Sequence, residues 1–218
     1  MLIGFKNLSQ SKIFIFKLIF QENVNDMKNL LIAMILIQGI VHAQTTPCPP
    51  WGDAKKGTLV YTLNLKKNRV DIPINYNQIE IADFLKFPDD STSDGIAYEM
   101  TGGYVIDVKQ QGPESCNCKS AVDHDFHIVV VPSPADEGDK SKYVIVEITP
   151  RIKKLLNWTD QEILSLKDNH VNFSGYKFAD LEHKNMSVKS NPTRKSCWRG
   201  TINEIHPVTK FSVVNNTQ

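Results

Sequence analysis

The chain has almost no charge of one sign to spare, with 25 Lys and Arg against 24 Asp and Glu. Beyond residue 43 the balance is 21 basic to 22 acidic residues. A dedicated nucleic-acid binder would show a basic surplus, so this balance weighs against one. A Gly-rich phosphate loop, a G-x-S-x-G elbow and an H-E-x-x-H helix are all missing, as is any internal repeat. Those absences remove the common signatures of nucleotide hydrolysis, serine-ester hydrolysis, zinc peptidases and solenoids. Long apolar runs are missing too. The run at residues 30–41 is shorter than the about 20 residues that a membrane-spanning helix needs.

That short run has a meaning of its own. Residues 27–43 read MKNLLIAMILIQGIVHA: one Lys, an apolar core, then small residues before Gln44. This is the pattern of a secretory signal peptide, with a retained N-terminal anchor as the competing reading. Residues 1–26 do not resemble a signal and are expected to be an upstream extension, with the true start at Met27. After cleavage no stable membrane span is expected, and the destination is the periplasm or the extracellular space. The four cysteines, Cys48, Cys116, Cys118 and Cys197, all follow residue 43. An even number of cysteines in an exported chain favours disulfides.

What is there in quantity is short β-rich stretches bounded by Gly, Pro and charge. The Pro-rich residues 44–51 predict an extended arm. Residues 58–65 alternate weakly and predict a strand, and residues 79–85 a single helical turn. Together residues 44–95 form a predicted N-terminal extension packed on a main domain at 96–218. That domain has five predicted strands, at 97–108, 125–131, 143–149, 171–178 and 200–214, the last broken at Pro207. Thr159 and Glu162 form a capping box that opens the one clear helix, between the third and fourth strands. Gly102 and Gly103 predict a bulge or a close backbone approach in the first strand.

Three strands, a helix and two more strands is the order of an OB-fold, a small five-stranded Greek-key barrel. Ligands of that fold lie across its second and third strands and the loops joining strands one to two and four to five. A β-sandwich with an added helix is the competitor, but it would need about seven strands. The segments GYVIDVKQQGPESCNC, DFHIVVV, VIVEITPR, SGYKFADLEH and RGTINEIHPVT also resemble a group of exported bacterial proteins with an OB-like domain and no assigned activity. The resemblance spans about residues 97–214 and implies the barrel and the export, but no catalytic residue. Asn203 stands where that group carries an aromatic residue, which argues against stacking at this position.

Two clusters carry chemistry. Cys116 and Cys118 lie in the loop after the first strand and Cys197 in the loop before the fifth, at one rim of such a barrel. A bond between Cys116 and Cys118 would close a strained ring. Cys197 is therefore expected to pair with one of them and Cys48 with the other. Alternatively Cys116, Cys118, His124 and Cys197 would be a zinc site, although Cys-x-Cys is tighter than the usual ligand spacing and export disfavours free thiols.

The second cluster is Asp125, His127, Glu147, Glu204 and His206. Alternation puts Asp125, His127 and Glu147 on one face of the second and third strands. Glu204 and His206 join them if the fifth strand lies beside the third. Carboxylates beside imidazoles bind divalent metals or run acid–base chemistry, and they also line ordinary solvated faces. Arg151 is a candidate partner for Glu147 or for an anionic ligand. His183, after Asp180 and Glu182, is a candidate at the rim.

The expected function is an exported, non-enzymatic OB-like binding domain with no cofactor, taking a saccharide, a peptide or a small anion at the barrel rim. One alternative is a divalent-metal-dependent hydrolase or nuclease using Asp125, His127, Glu147 and His206. The other is a cell-envelope structural or assembly factor.

Overall fold

Strand β2 (Ala97–Gln110) organises the protein, because it is long enough to serve two neighbours. Its first part pairs antiparallel with β5 (His170–Ala179), its second with β3 (Phe126–Val131). The switch falls at Gly102 and Gly103, where the pairing with β5 slips register. Gly102 has φ +71°, and a Cβ on Gly103 would lie 2.5 Å from the Val130 side chain. Glycine is what lets the strand bend this tightly between two partners.

From β3 the sheet continues to β4 (Val144–Ile148, antiparallel) and then to β6 (Asn203–Val213), which runs parallel to β4. Strand β6 pairs antiparallel with β5, and the β2–β5 pairing closes the ring. The result is a closed five-stranded barrel with OB-like pairing. Pro207 does not break β6. It falls where pairing with β5 shifts between Gly175 and Lys177, an irregularity that tolerates a residue without an N–H. A short strand β1 (Asn77–Glu80) adds parallel to the start of β2.

This computed structural model describes residues 47–214. The predicted signal at 27–43, residues 1–26 and the first residues of the arm lie outside the described residues.

The barrel interior is apolar. Phe126, Ile128 and Val130 from β3 meet Val144, Val146 and Ile148 from β4, with Met100, Phe173 and Ile205 from the other strands. Between β4 and β5 come two short helices, α3 (Pro150–Leu155) and α4 (Asp160–Leu164), which send Ile152 and Ile163 inward. Thr159 caps α4 as expected: its hydroxyl accepts from the Glu162 N–H at 3.2 Å, and Glu162 accepts from the Thr159 N–H at 2.7 Å.

The extension departs from expectation. Residues 58–65 are not a strand but the start of a helix, α1 (Leu59–Lys67), capped by the Thr58 hydroxyl at the Tyr61 N–H. A cap at the front and two lysines in the last turn outweigh a weak alternation. The helix buries a narrow stripe of Leu63, Asn64 and Lys67. Asn68, just past its end, donates to the backbone carbonyls of Cys116 and Pro50 and so ties arm, helix and the β2–β3 loop together. The predicted turn at 79–85 is half strand, half helix: β1 ends at Glu80 and α2 (Ile81–Phe84) begins at once. Among the described residues no helix is long and apolar enough to cross a membrane.

Candidate functional site

The pleat that sends Phe126, Ile128 and Val130 into the barrel turns Asp125, His127 and Val129 outward. On β4 the outward set is Ile145 and Glu147, directly opposite Val129 and His127 in the ladder. Parallel pairing of Ile145 with Glu204 and Val146 with Ile205 then sets His206 beside Glu147. One outer sheet face therefore collects Asp125, His127, Glu147, Glu204 and His206. This face is not open to water. The arm and α1 cover one side and the long loop after β5 the other, so Asp125, Glu147, Glu204 and His206 are all buried.

The charges there form a chain. His127 Nε2 is 2.7 Å from Glu147 Oε1, and His206 Nδ1 is 3.1 Å from Glu147 Oε2. His206 Nδ1 also lies 3.3 Å from Glu204 Oε2. Glu204 pairs through its other oxygen with Arg199, whose Nη1 reaches Asp180 Oδ2 at 2.8 Å. Asp180 accepts in turn from His183 Nδ1 at 2.6 Å. Asp125 stands slightly apart, held through Oδ1 by the Asn117 amide at 2.9 Å.

Burial and pairing pull the protonation states in opposite directions. Burial alone would raise Glu147, but His127 and His206 overcome it and hold the carboxyl well below the usual range. Burial alone would lower His206, but Glu147 and Glu204 push it up to about 10. His127 is raised the same way, burial opposing and Glu147 prevailing. His183 is raised mainly by its bond to Asp180. Asp125 has less help: burial pushes it up to about 6, with His206 only partly opposing. Near neutral pH His206 is a cationic donor, and Glu147 is an anion.

Beside this chain lies a cleft of about 570 Å³ on the β2–β3–β4 face, within the range of ordinary ligand pockets. His127, Val129, Ile145 and Glu147 make its floor. Lys67 from α1 with Glu114 and Ser115 forms one wall, and Asp180, Glu182, His183 and Trp198 from the β5–β6 loop form the other. Asp107, Lys109 and Gln111 of the β2 segment complete the rim.

The cysteines do not meet at this rim. Cys48 bonds Cys118, while Cys116 and Cys197 are buried free thiols. The expected Cys197 cross-link is therefore wrong, although the two loops do flank one cleft. The Cys197 sulfur turns into its own loop, against the carbonyls of Asn185 and Asn191, and Cys116 turns towards Asp125. The zinc set of Cys116, Cys118, His124 and Cys197 falls for the same reason. Cys118 has no thiolate to offer, Cys197 points elsewhere, and His124 belongs to no ligand-like cluster among the described residues.

Arg151 is also corrected. It neither pairs with Glu147 nor lines the cleft, but donates to the carbonyls of Cys48 at 2.6 Å and Pro49 at 2.8 Å, clamping the arm at the start of α3. Asn203 is buried, its amide donating to the Pro88 carbonyl at 3.0 Å.

Three residues of the network escaped sequence reasoning. Lys67 sits in a Lys-Lys-Asn run that looks like any exposed helix end. Asp180 and Arg199 lie in a polar loop whose burial no local pattern announces.

Among the described residues two sets of donors could hold a metal. Asp125, Glu147 and His206 each bring a ligand-type atom within 4.8 Å of the other two, as do Glu114, Cys116 and Asp125. Carboxylate and imidazole suit Mn²⁺ or Zn²⁺. The raised His206, however, holds the proton that a metal would have to displace. No protein-family model matches the chain, and neither does any curated protein or solved structure compared with it.

Proposed function

We propose that the protein is an exported, non-enzymatic binding domain whose cleft takes a small polyhydroxylated ligand of the saccharide class. The observation that carries this reading is the lining of the 570 Å³ cleft, which sets donors and acceptors side by side around one tryptophan. Lys67, His127, His183 and Gln111 donate, whereas Asp107, Glu114, Asp180 and Glu182 accept. Sugar hydroxyls do both, and Trp198 supplies a flat face for a ring. The cleft also lies on the strand face and between the loops that OB-folds use for oligosaccharides. Binding is favoured over catalysis because His206 is held protonated by Glu147 and Glu204 and is a poor base near pH 7. Export is supported by the signal-like residues 27–43, by the Cys48–Cys118 bond and by the resemblance to exported bacterial proteins.

The test is a titration of intrinsic fluorescence with a panel of neutral and acidic oligosaccharides, set beside unrelated peptides. A saccharide response that disappears in Trp198→Phe supports the reading. Peptides alone producing the response, or no saccharide response at all, overturns it.

One observation favours a second reading, a metal-dependent hydrolase: the convergence of Asp125, Glu147 and His206. A thermal shift with Mn²⁺ or Zn²⁺ that is abolished in Asp125→Asn would support it. Binding at 100 times Kd adds about 2.7 kcal/mol, enough to read easily.

A further inference from the structure

Among the described residues Lys67 is the one buried cation lining the cleft that has no ion-paired or hydrogen-bonded partner. It ends α1, is only 7% exposed and lines the cleft. Yet among the described residues no carboxylate oxygen comes within 4.0 Å of its ammonium, and no atom accepts a hydrogen bond from it. Its nearest aromatic company is the Phe178 ring, 5.8 Å away and at the outer limit of a cation–π contact. Every other buried cation of the network is paired: Arg199 with Asp180 and Glu204, and His206 with Glu147 and Glu204. Its Nζ is not fully enclosed: it opens on the cleft, where its donors are free to meet water or an acceptor on a ligand.

Three features point the same way. Glu147, Asp180 and Glu204 act on Lys67 from beyond contact distance and, against the effect of burial, raise its pKa, so it stays charged. His127 on the cleft floor has Nε2 committed to Glu147, while its second ring nitrogen makes no hydrogen bond among the described residues. An acceptor is left over as well: Asp180 Oδ1 is buried without a hydrogen bond.

We infer that Lys67 and His127 form an anion subsite that takes the carboxylate of a uronic-acid sugar, whose hydroxyls reach Asp180 and the rim acids. The inference rests on the saccharide reading above and narrows it. The same surroundings set the charge of the ligand. With three carboxylates near Lys67, a dianionic phosphate meets more repulsion than a monoanionic carboxylate, and a carboxylate needs only two donors.

The experiment uses the wild-type protein, so it does not depend on a variant folding. The ¹³Cε resonance of Lys67 is assigned and followed during titration with D-galacturonate, D-galactose and acetate. Galacturonate is expected to bind at least about tenfold tighter than galactose, the worth of one charge-assisted hydrogen bond. It should shift the Lys67 resonance where galactose does not. If both sugars bind equally and Lys67 does not respond, the subsite is wrong and the saccharide cleft stands. If acetate shifts Lys67 but neither sugar binds, the saccharide reading fails, the uronate assignment with it, and a bare anion site remains. If nothing binds, both are overturned. Lys67→Gln should erase the preference for galacturonate; a preference that persists in a folded variant also overturns the subsite.

Discussion

Glu147 is where a buried imidazole, His206, and a half-buried one, His127, share one carboxylate, and Glu147→Gln is the substitution that weighs the network. Glutamine keeps the shape and removes the charge. His127, 2.7 Å away, then loses its carboxylate partner, while His206 keeps Glu204 at 3.3 Å. Removing one partner of a buried pair typically destabilises by about 3–5 kcal/mol. Because Glu204 remains, the lower end, about 3 kcal/mol at pH 6.5, is expected.

The pH dependence carries more information than the single value. His206 ionises near 10 in the fold against an ordinary 6.5, so its stabilisation is complete below about 6.5 and fades as pH rises towards 10. The difference bounds that contribution at roughly 5 kcal/mol. Glu147 reports the same interaction from the other side. Held well below 4.5, it keeps its stabilisation above that value and loses it on acidification. Asp125 works in reverse, because its raised value, about 6 against 3.8, makes its ionisation unfavourable and erodes stability across that interval. Wild-type stability should therefore decline from pH 7 to 10, and in Glu147→Gln the decline should be shallower. Urea unfolding across pH 5–10, with histidine Cε1 resonances titrated in parallel, measures both. If the two proteins differ by less than about 1 kcal/mol at pH 6.5 and share one alkaline slope, the network contributes little and the reasoning is refuted.

The Cys48–Cys118 bond closes a separation of 70 residues and should stabilise by about 4 kcal/mol in the chain-entropy account, readable as a lower urea midpoint in the Cys48→Ser, Cys118→Ser double variant. Cys116 and Cys197, each 2% exposed, should resist a thiol reagent in the native protein and react only on unfolding; rapid native labelling would contradict their burial. Thr159→Ala removes the hydroxyl half of the capping box and should cost about 1 kcal/mol by the same unfolding assay, with little effect on any ligand titration.

The barrel was legible because its strands alternate. Phe126, Ile128 and Val130 against Asp125, His127 and Val129 is a period of two that only a strand satisfies, and a one-residue slip would bury the charges in the core. The paired glycines marked the bend of β2, and Thr159 with Glu162 marked α4. Local signals failed where the decision was tertiary. Helix α1 has so weak an alternation that its end caps decided its state. The disulfide depended on where the arm lies, and the arm is held by Asn68, Asn64 and Arg151 through backbone carbonyls that no sequence pattern specifies.

The charged face shows the same division. Parity assigned Asp125, His127 and Glu147 to the outside of the barrel, and strand order brought Glu204 and His206 to them. An outer face is ordinarily wet, however, and a wet face of that composition would need no explanation. What changes its meaning is the cover. With α1 on one side and the Asp180–Arg199 region on the other, carboxylates that water would have solvated must find partners within the protein. They find His127, His206 and Arg199, and among the described residues Lys67 is the buried cation of the cleft left without such a partner. The apolar barrel interior makes this arrangement tolerable, since it stabilises the sheet independently of the charges outside it. A cover that served stability alone would be expected to seal that face with apolar side chains, which are often no worse than ion pairs. Instead it stops short, leaving a cleft with an unpaired ammonium in its wall, and that is the reason to look for a ligand there.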